Sequence, residues 1–250
     1  MNSATVNSAT VDSATVDSVT VDSVTVDSAT AKNKNSSLLS RVSIVIPLAV
    51  DESEYKTLLD DLQKHSELEA EIIPCSKNSR AESLNSGAVK ACGEWLWFVH
   101  ADSRISTENL YALAKSLEQH PEDLHYFDLA FDLDCNKSPL YLNALGANLR
   151  SRMAGTPFGD QGLCIKKSLF KKLSGYPEDA PYGEDLLFIW HARHAGIKLR
   201  RIPSKLLTSG RKYRQQGWLK LTLLYQWRWI TMSFPQLLKL IAMRIKTPNE

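Results

Sequence analysis

The chain has only four cysteines, Cys75, Cys92, Cys135 and Cys164, far apart and without any C-x-x-C spacing. That excludes a disulfide-stapled secreted scaffold and leads us to expect a reducing, cytoplasmic setting. No apolar run reaches the roughly 18 to 20 residues that span a bilayer. The longest, residues 229–238, is interrupted by Ser233, Pro235 and Gln236. The N-terminus has neither a basic start nor an apolar block, so no signal peptide is expected, and peripheral attachment to the inner face of a membrane stays open. Acidic residues are scarce at the other end: after Asp185 only Glu250 faces 13 Lys and Arg, whereas residues 1–185 carry 27 acidic against 17 basic side chains. The formal charge of +2 therefore hides two halves of opposite sign. A content of 43% hydrophobic and 23% charged residues rules out collagenous and wholly disordered classes.

The first 31 residues repeat five-residue units such as NSATV, DSATV and DSVTV. A period of five keeps apolar residues on one face of neither a helix nor a strand, and valine is the largest side chain available to offset the ordering entropy. We expect a disordered tail over 1–36, with a β-stacking adhesive repeat as the alternative. A globular domain is expected over 40–235, followed by a C-terminal helix or tail over 236–250.

Within the domain, residues 42–48 (VSIVIPL) read as a buried strand and 52–65 as an amphipathic helix. Residues 71–73 read as a strand, 80–92 as a helix and 94–100 (EWLWFVH) as a strand. This alternation predicts an α/β fold with a mostly parallel central sheet flanked by helices. A helix to residue 119 and a strand over 125–133 with one polar face follow. Then come a helix over 140–152, a tight turn at Gly159-Asp160-Gln161-Gly162, a strand over 163–165 and a helix over 184–194. Residues 215–246 read as two C-terminal helices split by Pro235.

Ligands of open α/β sheets collect at the carboxyl ends of strands, which singles out Asp51, Cys75 to Asn78, His100 and Asp102. His100 and Asp102 leave a hydrophobic strand two residues apart and could hold a divalent cation beside a phosphate. The alternative is that Asp102 caps the next helix and His100 is a satisfied core residue. Glu184 and Asp185 open a helix, where acidic residues also serve as capping groups. Asp160, flanked by glycines, could approach a ligand or simply turn the chain. His191 and His194, at i and i+3, could form a metal pair, though no third ligand lies nearby in sequence.

Several ordered motifs carry a resemblance. Arg80-Ala81, Asn85-x-Gly87, Ala91-x-Gly93-Glu94, Phe98 and Asp102 resemble the donor half of a family 2 glycosyltransferase with a GT-A fold. Gly159 to Gly162, Phe170, Leu173 to Pro177 and Glu184-Asp185-Leu186 resemble its acceptor half. Ser43 to Pro47 is similar to the family's opening strand. The His-Ala-Asp motif, Gly146 to Arg152 and Thr208 to Arg211 resemble a short bacterial branch, and the likeness runs from Val42 to about Leu224. It implies inverting transfer of a sugar from a nucleotide-diphosphate donor to an acceptor hydroxyl. Asp102 and His100 would hold Mn²⁺ or Mg²⁺, and Pro47, Asp51, Arg80, Asn85, Gly87 and Arg211 would lie on the donor side. Asp160 and Gln161 would lie on the acceptor side, with Asp185 the general base supported by Glu184.

The segment from Ile73 to Ser79 lacks the acid of the family's usual Asp-Asp-Gly-Ser loop, and Val50-Asp51 replaces its Asn-Glu. These departures imply altered donor recognition, or a non-catalytic member that binds nucleotide sugars or glycans. Arg211, Lys212 and Arg214 read as phosphate-facing. Trp218, Trp227, Arg228 and Trp229 mix aromatics with cations in a way that suits a lipid headgroup interface and a lipid-linked acceptor, or else a core-packing helix. No reader motif accompanies the basic residues, so nucleic acid is not an expected partner.

Overall fold

The computed structural model describes residues 37–49, 53–65, 69–132 and 139–246, so the repeat segment, Asp51 and Cys135 lie outside the described residues. In chain order the elements are β1 (Val42–Pro47), α1 (Tyr55–Lys64), β2 (Glu71–Cys75), α2 (Arg80–Lys90), β3 (Trp95–Phe98), β4 (Ser103–Arg104) and α3 (Thr107–Gln119). They continue with β5 (Leu124–Phe131), α4 (Leu140–Ala154), β6 (Cys164–Lys166), α5 (Lys167–Lys172), α6 (Glu184–His194), β7 (Leu199–Thr208), α7 (Arg211–Gln216) and α8 (Trp218–Lys246). The strands form one sheet of order β2-β1-β3-β6-β5-β7-β4. Parallel pairing joins β2, β1 and β3, and also β5 and β7. The short β6 is antiparallel to both β3 and β5, and β4 is antiparallel to β7. The sheet is thus mixed, with its parallel part confined to the βαβ segment and to the β5–β7 pair.

Helices cover both faces because the buried strands are apolar on both. Strand side chains alternate: Ile44, Ile46, Trp95 and Trp97 join one core cluster with Leu58 and Leu62 of α1 and Leu113 and Leu117 of α3. Val45, Leu96 and Phe98 join the other with Ala81, Leu84 and Ala88 of α2 and Phe188 and Ile189 of α6. Each fully buried large side chain contributes about 1.5–3 kcal/mol, so these clusters are what fix the strand exits in place. Gly87 belongs to this packing: a Cβ there would lie 2.4 Å from Val45 Cγ1 and 2.7 Å from Cys75 Sγ.

Three expectations are corrected. Pro74 does not end β2 but lies within it, paired in register with Ile46; β2 is an edge strand, where a missing N–H costs the ladder nothing. The polar face expected on β5 is covered, and Asp128 is buried there against Arg201 (2.8 Å from Nε) and Arg152 (2.8 Å from Nη2). Finally, α8 runs unbroken through Pro235, where two helices were expected to part, while the chain breaks at Gly217, whose φ is +89°. Pro235 is exposed, so its ring and the carbonyl it leaves unbonded face solvent. The roughly 3 kcal/mol cost of a mid-helix proline is offset by inward tethers: Trp229 Nε1 donates to Thr156 Oγ1 (3.0 Å), Trp190 Nε1 to Ser233 Oγ (3.3 Å) and His194 Nε2 to the Gln236 carbonyl (3.1 Å).

Candidate active site

The exits of β1, β2 and β3 face the first turns of α2 and α6, and the polar side chains converge there. Ser79 caps α2 by accepting from Glu82 N (3.1 Å), which sets Arg80 at the first position of the helix. Ser106, not Asp102, caps α3, with Asn109 closing a reciprocal capping box. On α6, Asp185 reaches away from its own helix and accepts from Gly159 N (2.8 Å).

Arg80 is the hub. Its Nε lies 3.4 Å from Glu184 Oε1, its Nη2 lies 3.3 Å from Asp185 Oδ2, and the same Nη2 donates to His100 Nε2. An imidazole nitrogen that accepts from a guanidinium must be unprotonated; burial and then Arg80 accordingly hold His100 well below the usual histidine range. Burial works against ionisation of Asp185, but Arg80 and the Gly159 N–H outweigh it and keep the carboxyl below its ordinary range. Glu184 moves the other way, raised by burial and by the neighbouring Asp185. Two adjacent carboxylates pushed in opposite directions mark different roles: Asp185 is the one held ionised.

Two cavities meet at this cluster. The smaller, of about 350 Å³, is walled by residues 47–49 after β1, residues 76–79 after β2, and Arg211 and Lys212 at the start of α7. The larger, of about 700 Å³, lies among α4, α6, α7 and α8 and includes Asp160, Glu184, Asp185 and Arg150. Arg80, His100, Asp102 and Lys212 line both. The smaller cavity has the cations Lys77, Arg80, Arg211 and Lys212 and hence the character of a diphosphate site. Arg211 is 3.5 Å from Glu54, which orients it.

In the larger cavity Asp160 Oδ1 and Arg150 Nη2 are both sealed from solvent without a hydrogen-bond partner among the described residues. Arg150 is held by donating to the Thr156 carbonyl (3.2 Å) and by stacking 3.6 Å over the Phe158 ring. A sugar hydroxyl can donate to a carboxylate and accept from a guanidinium at once, so this pair is chemically suited to one. Burial pushes the Asp160 carboxyl up from 3.8 to about 6, with Arg150 opposing and Asp185 reinforcing the shift. Because the folded chain holds this proton more tightly than the unfolded chain, the associated stability is present at low pH and lost as pH rises from 3.8 through about 6. Asp160→Asn is expected to flatten that slope, on the order of 3 kcal/mol, in urea unfolding measured across the window; an unchanged slope would contradict the assignment.

Other expected site residues sit elsewhere. Asn85 binds the loop before α6, donating to the Tyr176 carbonyl and to Glu178 (2.8 Å each) and accepting from Tyr176 N. Gln161 is buried, donating to the Phe127 carbonyl (2.9 Å) and accepting from Ser151 Oγ (2.6 Å). Asn85, Gly87, Gln161 and Arg214 line neither cavity, whereas Pro47, Arg80, His100, Asp102 and Arg211 do. Lys77 and Gly159 fall in segments that the sequence reading singled out, whereas Arg150 was not named there as a site residue.

Among the described residues no group of three or more His, Cys, Asp or Glu side chains could hold a metal ion. His194 donates to the Gln236 carbonyl on α8, and His100 Nε2 accepts from Arg80. Asp102 remains. A cation there would take one carboxylate from the chain and its other oxygens from a diphosphate and water, which is the habit of Mg²⁺.

Solved structures similar to this chain include TarS 1–349 from S. aureus, at 15% identity and a TM-score of 0.49, covering 67% of this chain and 60% of that one. The same protein in complex with UDP-GlcNAc matches at 18% identity and 0.48, covering 67% and 58%. The mannosyltransferase PcManGT from Pyrobaculum calidifontis, in complex with GDP-Man and Mn²⁺, matches at 15% and 0.47, covering 67% and 56%. The chain thus spans less than two thirds of the length of these structures. No curated protein sequence matches it. The model described as Glycosyl transferase family 2 matches residues 43–138, the stretch from β1 past β5 that carries Arg80, His100 and Asp102. The flanked mixed sheet is an α/β arrangement, and residues 43–138 of it are similar to glycosyl transferase family 2.

Proposed function

We propose that the chain transfers a sugar, with inversion, from a nucleotide-diphosphate donor in the smaller cavity to an acceptor hydroxyl in the larger one. The observation that carries this reading is the meeting of the two cavities at Arg80, His100, Asp102 and Lys212, with Asp185 on the larger cavity's side. Asp185 takes the proton of the acceptor hydroxyl. The oxygen then bonds to the anomeric carbon from the side opposite the diphosphate, whose C–O bond breaks and leaves with the electron pair. Arg80 and Lys212 stand where that charge develops. Asp102 would hold a divalent cation together with the diphosphate; when bound, the ion neutralises leaving-group charge.

Arg80 couples the two sites. Without donor its charge is shared with Asp185 and Glu184. A diphosphate competing for the guanidinium weakens its hold on Asp185, whose basicity rises when it is needed. Glu184 supports Asp185 by sharing Arg80.

The test is stabilisation by UDP-, GDP- and TDP-sugars with and without Mn²⁺ or Mg²⁺. We expect at least one donor at 100 times its Kd to add about 2.7 kcal/mol, read as a rise in Tm that Asp102→Ala removes. If no donor shifts the Tm at millimolar concentration, the transferase reading fails; a shift without turnover on any acceptor would favour a non-catalytic binding member.

A further inference from the structure

The outer side of α8 is apolar along nearly its whole length. Leu219, Leu223, Trp227, Ile230, Phe234, Leu238, Ile241 and Ile245 recur every three or four residues and all are exposed, Trp227 by 66% and Ile245 by 73%. At 3.6 residues per turn they fall within an arc of about 100° over about 39 Å. The tethers from Trp190, His194 and Trp229 hold the opposite side, so the stripe is what remains exposed once the core contacts are made. A second exposed stripe, Tyr141, Leu145, Leu149 and Met153, runs along α4. Asn143 joins the helices, accepting from Trp218 Nε1 (3.1 Å) and donating to Thr222 Oγ1 (3.0 Å). Among the described residues no helix is long and apolar enough to cross a membrane.

Charge identifies what covers this face. Residues 186–249 contain no acidic side chain. Lys220 and Arg244 are exposed and project about 60° to either side of the stripe's midline; Arg152 is exposed on α4. An apolar band edged by cations suits the boundary of an anionic bilayer, with hydrocarbon against the stripe and lipid phosphates against the cations. A second copy of the chain would instead bring like charges together.

We propose that the α4–α8 face lies on an anionic lipid surface. Resting on the transferase reading, the acceptor is then a lipid-borne hydroxyl, because Leu142, exposed on α4, also lines the larger cavity.

Full-length protein sedimented with vesicles of phosphatidylcholine, alone or mixed with phosphatidylglycerol, tests this. We expect binding to the anionic vesicles only, weakened roughly tenfold by high salt. Leu223→Asp with Trp227→Asp should weaken it by at least about tenfold at an unchanged Tm. Should that variant unfold, Leu223→Ser with Trp227→Ser decides by the same measurement. Absence of anionic-vesicle binding, undiminished binding of the folded variant, or a dimer in light scattering that the variant abolishes would each overturn the proposal. Donor-induced Tm shifts without vesicles separate the two readings. A shift without vesicle binding overturns this proposal alone, whereas vesicle binding without a shift supports it and overturns the transferase.

Discussion

Asp185→Asn is expected to lower kcat by about 10³-fold while donor affinity stays within a few-fold of wild type. The substituted amide would keep the shape and could still accept from Gly159 N, but it cannot take the acceptor proton. Asp185 lines only the larger cavity, so its neutralisation leaves most of the donor contacts intact. Single-turnover assays beside donor titration check the split; equal losses in both would make Asp185 a donor-binding group. The pH profile carries a second signature. Because Arg80 holds the Asp185 carboxyl down in the donor-free chain and is shared once a diphosphate binds, the acid limb of kcat should lie at higher pH than that of kcat/KM. Activity is lost as pH falls through that limb, since the base must be ionised.

The second large effect needs no change of charge. Gly159→Ala adds one methyl group whose carbon would lie 2.4 Å from Asp185 Oδ2, 2.5 Å from Arg80 Nη2 and 3.0 Å from His100 Nε2. All three must retreat, and the Gly159 N–H to Asp185 bond lengthens with them. Misplacement of reacting groups by about 1 Å costs roughly 10²-fold in rate. We expect kcat to fall by at least that factor and, unlike Asp185→Asn, donor affinity to fall with it, because Arg80 and His100 also line the donor cavity. Circular dichroism should show an intact fold: Gly159 does not have a positive φ, so alanine strains the site, not the turn. Wild-type kinetics would mean that the Arg80 cluster lies away from the chemistry.

Much of the scaffold was legible locally. The β-branched run of β1 and the apolar stripe of α1 each state their conformation within a few residues. The candidate site was legible in part, because α/β topology directs ligands to strand exits and β3 delivers His100 and Asp102 to one. Asn85 and Gln161 line neither cavity, and a polar side chain near a glycine looks alike in sequence whether it faces a ligand or satisfies buried backbone. The polar face expected on β5 failed similarly: Asp128 alternates like a solvent-facing residue, and only Arg201 and Arg152, arriving from elsewhere in the chain, make it a buried one.

By itself the sequence determined many of the element types, the scarcity of acid in the C-terminal quarter and the motif set that resembles the family, since propensity, periodicity and charge act over a few residues. Tertiary structure alone decided which charges meet. Arg80 and Asp185 are 105 residues apart, and nothing in either neighbourhood says that one guanidinium serves two carboxylates and an imidazole. It also decided that α8 continues through Pro235, because the inward tethers of Trp229, Trp190 and His194 outweigh a local breaker. And it decided that the apolar stripe on α8 stays outside, because burial of one helical face against the core leaves the opposite face without a partner from the same fold.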